Sequence, residues 1–422
     1  MKTKAVRLYG ADDLRLEEFD LPPIKQDEIL VKIITDSICM STYKLLKQGK
    51  KHKRCPQDVD VNPIIIGHEF AGDIIEVGQK WKDEFKVGQK FTIQPAFNYK
   101  GSLASPGYSY RFCGGASQYA IIPQEAMETH CLIHYDGDAY FNASLAEPMS
   151  CIIGAYHAFY HTNKINYNHA MGVKPGGNVL ILGGAGPMGL GSIEYPLTLE
   201  KEKRPKRIVV TDIDDARLQR AQLLISPQRA KEKDVELIYI NSAKVENIDK
   251  KLLDISEAKG YDDVLVMTPI KEVCQLADRM LGFDGGLNFF AGPTDNQFRA
   301  EINLYNCHYT SAHIFGTTGG TTDDLKEALD LASRQKIHPA VMVSHIGGID
   351  SIAQATAELT KVPGAKRLTY PQINLPLTAI ADFEELGKKD KLFEQLYKAC
   401  KEHNGLWNAQ AEKILLSHFH VI

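Results

Sequence analysis

The sequence predicts an α/β protein in which a doubly wound parallel sheet is inserted into a small β-barrel domain. From about residue 172 to 337, strand-like runs alternate with helical segments, which is typical of a parallel sheet. Residues 1 to about 160 instead contain short runs rich in Val, Ile and Phe, bounded by Gly or Pro. We therefore expect a first domain at 1–165, a second at 166–337, and a segment at 338–422 that completes the first.

The N-terminal strands are spaced as in a small, mostly antiparallel barrel. The candidates are Ala5–Leu8, Leu14–Phe19, Glu28–Ile34, Phe70–Val77, Gln89–Gln94 and Ser117–Ile122. Near Pro148 the pattern becomes helical, and a proline suits the first position of a helix. We therefore predict that a helix begins at Pro148.

Six strands are predicted in the alternating region, enough for a full doubly wound sheet. They are Asn178–Leu182, Ile208–Thr211, Glu236–Ile240, Asp263–Met267, Leu287–Phe290 and His313–Phe315. Helices are expected to begin near Pro187, Asp214, Ala243, Lys271 and Thr322. After Ile337 the regularity fades, and only Ser351–Leu359 and Ala379–His403 read as helical.

The stretch Asn178–Gly191 carries a glycine pattern that suits a dinucleotide pyrophosphate. The apolar run Val179–Leu182 is followed by Gly184-Ala185-Gly186-Pro187-Met188-Gly189 and then by a plausible helix. Gly184 would allow the tight turn, Gly186 the approach of phosphate, and Gly189 close packing of helix on strand. The N–H groups at the helix start would face the anion.

Asp212 stands at the end of the next predicted strand, where a carboxylate would accept both ribose hydroxyls and repel a 2′-phosphate. Asp214 and Asp215 follow, and the first nearby cation is Arg217. This favours NAD, with NADP as the less favoured cofactor. The alternative is that Asp212 caps the helix predicted at Asp214–Leu224.

Composition excludes several classes of protein. The chain has 422 residues, 44% hydrophobic and 24% charged, with a net charge of −4, which gives no electrostatic case for nucleic acid or a membrane surface. The N-terminus lacks the apolar core of a signal peptide, and no run approaches a membrane span. Eight cysteines without a C-x-x-C pair fit reduced thiols, so we expect a cytoplasmic protein.

Three distant residues form a plausible catalytic zinc set: Cys39, His68 and Glu147. Three protein ligands would leave one position for water or substrate, and zinc would polarise an alcohol or carbonyl oxygen. Each residue also has a simpler interpretation. Cys39 could be a buried thiol, His68 a satisfied histidine at a strand start, and Glu147 a carboxylate favoured by the dipole of the following helix.

Several segments resemble the zinc-dependent medium-chain dehydrogenase/reductases. They are Gly67-His68-Glu69-Phe70-Ala71-Gly72, Glu76-Val77-Gly78, Val87-Gly88-Gln89-Lys90-Phe91 and Ala146-Glu147-Pro148-Met149-Ser150, the last resembling the polyol-dehydrogenase branch. The resemblance covers nearly the whole chain and implies a GroES-like catalytic domain around a Rossmann NAD-binding domain. Within the family, the segment from Cys39 to Lys44 and the loop 316–320 look most like L-sorbose-1-phosphate reductases.

The resemblance also implies roles for single residues. Cys39, His68 and Glu147 match zinc ligands, and Glu69 matches a carboxylate beside the metal that is either an exchangeable ligand or its support. Ser41 matches the hydroxyl that passes the substrate proton, and Lys44 stands where some members carry a relay histidine. Gly184, Gly186, Pro187, Met188 and Gly189 match the cofactor motif. Thr317 and Thr318 lie where members contact the nicotinamide half.

By the same resemblance, a four-cysteine structural zinc lobe would fall within the segment 94–117. That segment contains only Cys113, so we expect one catalytic zinc and no structural zinc. The basic run Lys47–Arg54 is either a binding surface for a substrate phosphate or a solvated loop. The predicted activity is reversible hydride transfer between NAD(H) and a polyol or ketose, with a sugar phosphate favoured as substrate (L-sorbose 1-phosphate to glucitol 6-phosphate type). Zinc and nicotinamide are expected in the interdomain cleft, and the expected assembly is a homo-oligomer. The alternatives are a zinc-free quinone or enone reductase of the same fold and a non-catalytic dinucleotide sensor.

Overall fold

The computed structural model describes residues 1–421 and divides them into two compact units. The first contains Met1–Glu147, Thr321–Ser333 and the described part of Val343–Ile422; the second contains Pro148–Gly320 and Arg334–Met342. The first division thus falls after Glu147, not near residue 165, and the stretch Thr321–Ser333 returns to the first unit. None of the helices within 1–421 has the length and apolarity that a membrane span requires.

The N-terminal part of the chain is rich in strands, as predicted. Its elements are β1 (Lys2–Gly10), β2 (Asp13–Asp20), β3 (Ile29–Ile38), α1 (Met40–Gln48), β4 (Ile64–Ile65), β5 (Phe70–Val77), β6 (Lys90–Ile93), β7 (Tyr119–Ile122), α2 (Gln124–Glu128), β8 (Leu132–Tyr135) and α3 (Tyr140–His157).

The middle of the chain alternates strands and helices. Its elements are β9 (Tyr160–Thr162), β10 (His169–Met171), β11 (Asn178–Leu182), α4 (Pro187–Glu194), β12 (Arg207–Asp212), α5 (Asp215–Leu224), α6 (Pro227–Lys231), β13 (Glu236–Asn241), α7 (Ile248–Ile255), β14 (Tyr261–Val266), α8 (Lys271–Arg279), β15 (Leu281–Phe289), α9 (Leu304–Thr310) and β16 (His313–Gly316). Strands β11 to β16 form a parallel six-stranded sheet in the order β13-β12-β11-β14-β15-β16. This order is that of the doubly wound fold, and the fold prediction is confirmed.

The last part of the chain has more structure than its pattern indicated. Its elements are α10 (Thr322–Ser333), β17 (Val343–Gly348), α11 (Ile352–Ala357), β18 (Lys366–Tyr370), β19 (Thr378–Ala379), α12 (Phe383–Leu386), α13 (Lys391–Lys401) and α14 (Ala409–His418). Strands β17 and β18 have no counterpart in the sequence prediction. Every residue of β18 is buried, but the strand begins with Lys366 and Arg367 and so does not read as an apolar run.

Strand β3 is the centre of the first unit. The larger sheet has the order β19-β17-β18-β3-β5-β6-β8, with β7 also paired to β3, and β2-β1-β4 form a separate sheet. Alternate residues Ile29, Val31 and Ile33 of β3 enter a core that includes Phe70 and Phe91. Because β18 and β5 both pair with β3, the C-terminal segment completes the sheet of the N-terminal strands.

Two predicted helix starts are wrong. Helix α3 begins at Tyr140 and contains Pro148 in its interior, because Glu412 accepts the N–H groups of Tyr140 (2.6 Å) and Phe141 (2.9 Å) and so caps the earlier start. This cap comes from a residue far along the chain, so no local signal announced it. The helix expected at Ala243 begins instead at Ile248, where the Asn247 side chain accepts a backbone N–H and caps it.

The second unit buries a charged cluster between β9, β14, β15 and β16. The His161 ring contacts Asp263 through Nε2 (3.2 Å), and its Nδ1 faces the carbonyl oxygen (3.2 Å) and carboxylate (3.4 Å) of Asp284. Asp284 also meets His313 at 2.9 Å. Both ring nitrogens of His161 face acceptors, an arrangement that suits the doubly protonated imidazolium. Burial by itself would lower the pKa of His161, but the hydrogen bond and charge of Asp263, with Asp284, raise it above its ordinary value.

We predict that His161 makes stability depend on pH. Because the pKa of His161 is raised in the folded protein, its contribution to the unfolding free energy is complete below the pKa of the unfolded chain, about 6.5. That contribution is lost as the pH rises through the pKa of the folded protein. In denaturant titrations, the unfolding free energy of the unmodified protein should therefore fall over this window, and His161→Gln should flatten the fall. His169→Gln, on exposed β10, is the matched control and should keep the unmodified slope. Equal slopes for all three proteins would contradict the assignment.

Candidate active site

Cys39 lies at the junction between β3 and α1. Strand β3 ends at Ile38, and Cys39 is the N-cap of α1, with extended backbone angles of φ −103° and ψ 150°. Its carbonyl oxygen accepts the N–H groups of Thr42 (3.1 Å) and Tyr43 (3.3 Å). The central strand of the sheet therefore fixes the position of the half-buried thiol.

His68 lies just before β5 and directly after Gly67, a position that only glycine can occupy. Gly67 has a φ of +89°, and a Cβ there would lie 2.2 Å from a carboxylate oxygen of buried Asp36. The imidazole of His68 is buried, with Nδ1 3.4 Å from Thr42 Oγ1 and Nε2 3.4 Å from Ser41 Oγ. Burial lowers the pKa of His68, so it is held as the neutral ring that binds metals.

Cys39, His68 and Glu69 form the one group of three among residues 1–421 that meets the distance expected of a metal site. One ligand atom from each side chain lies within 4.8 Å of the others. A thiolate, an imidazole and a carboxylate are a donor set that suits zinc with an open fourth position. The residues present therefore fit a catalytic zinc ion.

Glu69 is held by a buried ion pair that the sequence did not suggest. Lys366 Nζ lies 2.6 Å from both carboxylate oxygens, and the Ser37 hydroxyl donates to one of them. Glu69 is fully buried and Lys366 nearly so. Burial would raise the pKa of Glu69, but the charge of Lys366 and the hydrogen bonds from Lys366 and Ser37 hold it below its ordinary value, so the carboxylate is kept ionised.

Glu147 lies beside this group but outside its 4.8 Å limit. It is in the middle of α3 and is buried, so the interpretation based on the dipole at a helix start is wrong. Burial, followed by the negative charge of Glu69, raises the pKa of Glu147 to about 8. The structure thus brings three of the four predicted ligands together and places the fourth, Glu147, next to them.

Ser41 and Tyr108 form a hydroxyl chain at the metal group. Tyr108 donates to Ser41 Oγ at 2.7 Å, and Ser41 Oγ lies 3.0 Å from Cys39 Sγ. The Tyr108 hydroxyl is also 3.4 Å from His68 Nε2. Sequence reasoning did not place Tyr108 here, because it lies on an irregular loop.

Lys44 is the remaining candidate on α1. It is half-buried, and burial lowers its pKa, while the nearby charge of Cys39 acts in the opposite direction. Lys44 therefore lies near the metal group.

The glycine turn of the second unit has the predicted form with one correction. The residue with a left-handed backbone is Gly183 (φ +70°), whereas Gly184 is required because a Cβ would lie 2.7 Å from Ile181. A Cβ on Gly189 would lie 2.2 Å from the carbonyl oxygen of Gly184, and Gly186 faces open space. Pro187 and Met188 open α4 directly after this turn.

Asp212 is the last residue of β12 and is buried. Its carboxylate accepts the N–H groups of Ala185 (3.1 Å), Ile213 (2.8 Å) and Asp214 (3.2 Å), which ties it to the glycine turn. The cap of α5 is Asp214, so the alternative interpretation of Asp212 is wrong. Arg217 Nε lies 3.8 Å from Asp214 Oδ2 and is half exposed.

Thr317 and Thr318 follow β16 in the loop before α10. Thr317 Oγ1 donates to Asn288 Oδ1 at 3.2 Å, so its hydroxyl is positioned by β15. Thr318 is exposed.

Comparison with known proteins gives the family of the chain. Residues 25–130 match the alcohol dehydrogenase GroES-like domain. The chain is 47% identical over 420 residues to mannitol-1-phosphate 5-dehydrogenase from Aliivibrio fischeri, covering 100% of this chain and 99% of that protein. It is 41% identical over 416 residues to L-sorbose 1-phosphate reductase from Klebsiella pneumoniae, covering 99% and 98%.

Solved structures share the fold at lower identity. The crystal structure of 2R,3R-butanediol dehydrogenase from Bacillus subtilis matches with a TM-score of 0.71 at 20% identity, covering 87% of this chain and 99% of that one. Galactitol-1-phosphate dehydrogenase from Escherichia coli matches with a TM-score of 0.68 at 20% identity, covering 87% and 100%. The chain therefore belongs to the medium-chain dehydrogenase/reductase family of alcohol and polyol dehydrogenases, and it is an oxidoreductase that acts on CH–OH groups.

Proposed function

We propose that the protein is a zinc-dependent, NAD-linked dehydrogenase that interconverts a ketose phosphate and an alditol phosphate. The observation that carries the proposal is the meeting of Cys39, His68 and Glu69 within 4.8 Å. Relatives spanning the whole chain are named for mannitol 1-phosphate and L-sorbose 1-phosphate, which supports a phosphorylated six-carbon substrate. Reduction would move a hydride from NADH to the carbonyl carbon and a proton to its oxygen.

The zinc ion, when bound by Cys39 and His68 with Glu69 or Glu147, would supply a Lewis acid for the substrate oxygen. Glu69 is kept ionised by its contacts with Lys366 and Ser37. Either carboxylate would complete the ligand set with Cys39 and His68, and Lys366 would hold Glu69 in place if Glu147 were the ligand.

Ser41 is the proposed carrier of the substrate proton. Its oxygen accepts the Tyr108 hydroxyl at 2.7 Å, so its own hydrogen is free to point toward the metal group, where Cys39 Sγ lies at 3.0 Å. Tyr108 is buried, and burial raises its pKa well above the ordinary value. Tyr108 therefore stays protonated and acts as a fixed donor that orients Ser41.

The ligand group argues against the zinc-free quinone or enone reductase and against the non-catalytic dinucleotide sensor, because neither requires it. Asp212 supports NAD as the cofactor, because its buried carboxylate lies at the glycine turn, and a 2′-phosphate there would meet a negative charge. Residues 214 and 215 add two more carboxylates.

Removing the proposed ligand Cys39 should remove the metal and the activity together. Cys39→Ser should bind substoichiometric zinc by elemental analysis and lose at least about a hundredfold in kcat/KM, because an alcohol is a poorer zinc ligand than a thiolate. Cys274→Ser, which changes a buried cysteine in the core of the second unit, is the control and should keep its zinc. Full NADH oxidation after chelation, with no metal detected, would favour the zinc-free reductase.

Lys366 should stabilise the fold through Glu69. Lys366→Met leaves a buried carboxylate without its cation and should lower the unfolding free energy by about 3–5 kcal/mol in denaturant titrations. Adding Glu69→Gln to that variant should recover part of the loss, since the charge is then also removed. Lys388→Met breaks the exposed pair with Glu385 and should have no measurable effect. A double variant that loses the sum of the two single losses would show that the pair is not coupled.

Asp212 should set the choice between the two nicotinamide cofactors. Asp212→Asn keeps an oxygen that accepts backbone N–H groups but removes the charge, so the ratio of kcat/KM for NADPH to that for NADH should rise by about tenfold to a hundredfold. Asp215→Asn, on the exposed start of α5, should change the ratio much less. An unmodified enzyme that prefers NADPH would contradict the NAD assignment.

A further inference from the structure

The cations of the basic run Lys47–Arg54 differ in whether they pair with a carboxylate. Lys47 pairs with Asp12 at 2.5 Å and Lys50 with Asp60 at 2.7 Å, and all four side chains are well exposed. Within residues 1–421, Arg54 has neither an ion pair nor a carboxylate at hydrogen-bond distance from its guanidinium. The structure thus separates surface lysines, which are neutralised locally, from an arginine whose charge is not.

The Arg54 guanidinium lies over the ring of Tyr108, with 5.2 Å between its central carbon and the ring centroid. Its Nε–H is buried and, among the described residues, has no hydrogen-bond acceptor. A buried donor without an acceptor destabilises the folded protein, so this position suits a ligand that supplies a hydrogen-bond acceptor. The Tyr108 ring also lies 4.9 Å from the ring of His68. Tyr108 therefore contacts both this guanidinium and a residue of the metal group.

His52 adds a second donor at the same place. Its ring stacks on Tyr108 at 5.5 Å and 15°. The backbone N–H of Arg54 donates to His52 Nδ1 at 3.3 Å, so the neutral ring carries its hydrogen on Nε2. Burial, followed by the charges of Arg54, Lys53 and Lys44, lowers the pKa of His52 to about 4. The charges that act on this ring are all positive, as expected where an anion binds.

We propose that Arg54, together with His52, binds the phosphate of the substrate, with the carbonyl end of the sugar at Cys39, His68 and Glu69. This inference rests on the proposed sugar-phosphate activity. A guanidinium presents Nε–H and a terminal N–H as a planar fork that matches two phosphate oxygens, and its hydrogen bonds to a dianion are charge-assisted. The Tyr108 hydroxyl would remain on Ser41.

The test compares phosphorylated and free substrates in the metal-loaded enzyme. L-Sorbose 1-phosphate, D-fructose 6-phosphate, L-sorbose and D-fructose would be assayed by NADH oxidation. Arg54→Gln should lower kcat/KM for the preferred phosphate ester by about tenfold to a hundredfold and leave kcat/KM for the free ketose nearly unchanged. Inorganic phosphate should compete with that ester in the unmodified enzyme and compete far less in the variant. Arg54→Lys, which keeps the charge but not the fork, should fall between the two.

Lys50→Gln is the matched control, because it removes a cation of the same run that already has a carboxylate, and it should behave as the unmodified enzyme. An Arg54→Gln enzyme that keeps the preference for the ester would overturn the inference and leave the proposed function intact. An equal loss of kcat/KM on esters and free ketoses would assign Arg54 a structural role and would also overturn the inference. An unmodified enzyme with no preference for esters would remove both the inference and the sugar-phosphate activity.

Discussion

The ion pair between Lys366 and Glu69 is the interaction on which the site depends. Two charges away from water are tolerated only when each satisfies the other, and here both carboxylate oxygens lie 2.6 Å from one ammonium group. The pair joins β18 to the start of β5, on opposite sides of β3, whose end carries Cys39. It therefore closes the sheet at the point where the thiol, the imidazole and the carboxylate meet. It also keeps Glu69 ionised next to Glu147, which is driven toward its neutral form by the same burial.

A second constraint acts on the same elements from the C-terminal end. Glu412 on α14 accepts both N–H groups at the start of α3 and also the hydroxyl of Tyr370, at 2.9 Å. Tyr370 is the last residue of β18, which begins with Lys366, and it accepts the indole N–H of Trp407 at 2.8 Å. One buried carboxylate thus ties together the helix that carries Glu147 and the strand that carries Lys366. The C-terminal segment is in this way part of the site's support, although it contributes no proposed ligand.

The sequence predicted what depends on local pattern. The parallel strands are buried on both faces and read as apolar runs, and the glycines of the turn follow from close contacts within a few residues, so both were found. The start of α3, strand β18 and the roles of Lys366 and Tyr108 were missed for one shared reason. Each is determined by a partner far away in the chain: Glu412 for Tyr140, β3 for β18, Glu69 for Lys366 and Ser41 for Tyr108. A charged residue in a strand, or a tyrosine in a loop, carries no sign of such a partner.

The basic run shows why the number of charges in a segment says little about its function. Lys47 and Lys50 each carry the same formal charge as Arg54, but each has an aspartate within 2.7 Å. An exposed ion pair of this kind presents little net charge to a ligand. Arg54 differs because the side chains beside it, Tyr108 and His52, are uncharged aromatic rings and neither is a carboxylate. Tyr108 contacts the guanidinium with its ring and donates its hydroxyl to Ser41 beside the metal group. Recognition of an anion and handling of the substrate proton would then share one buried side chain.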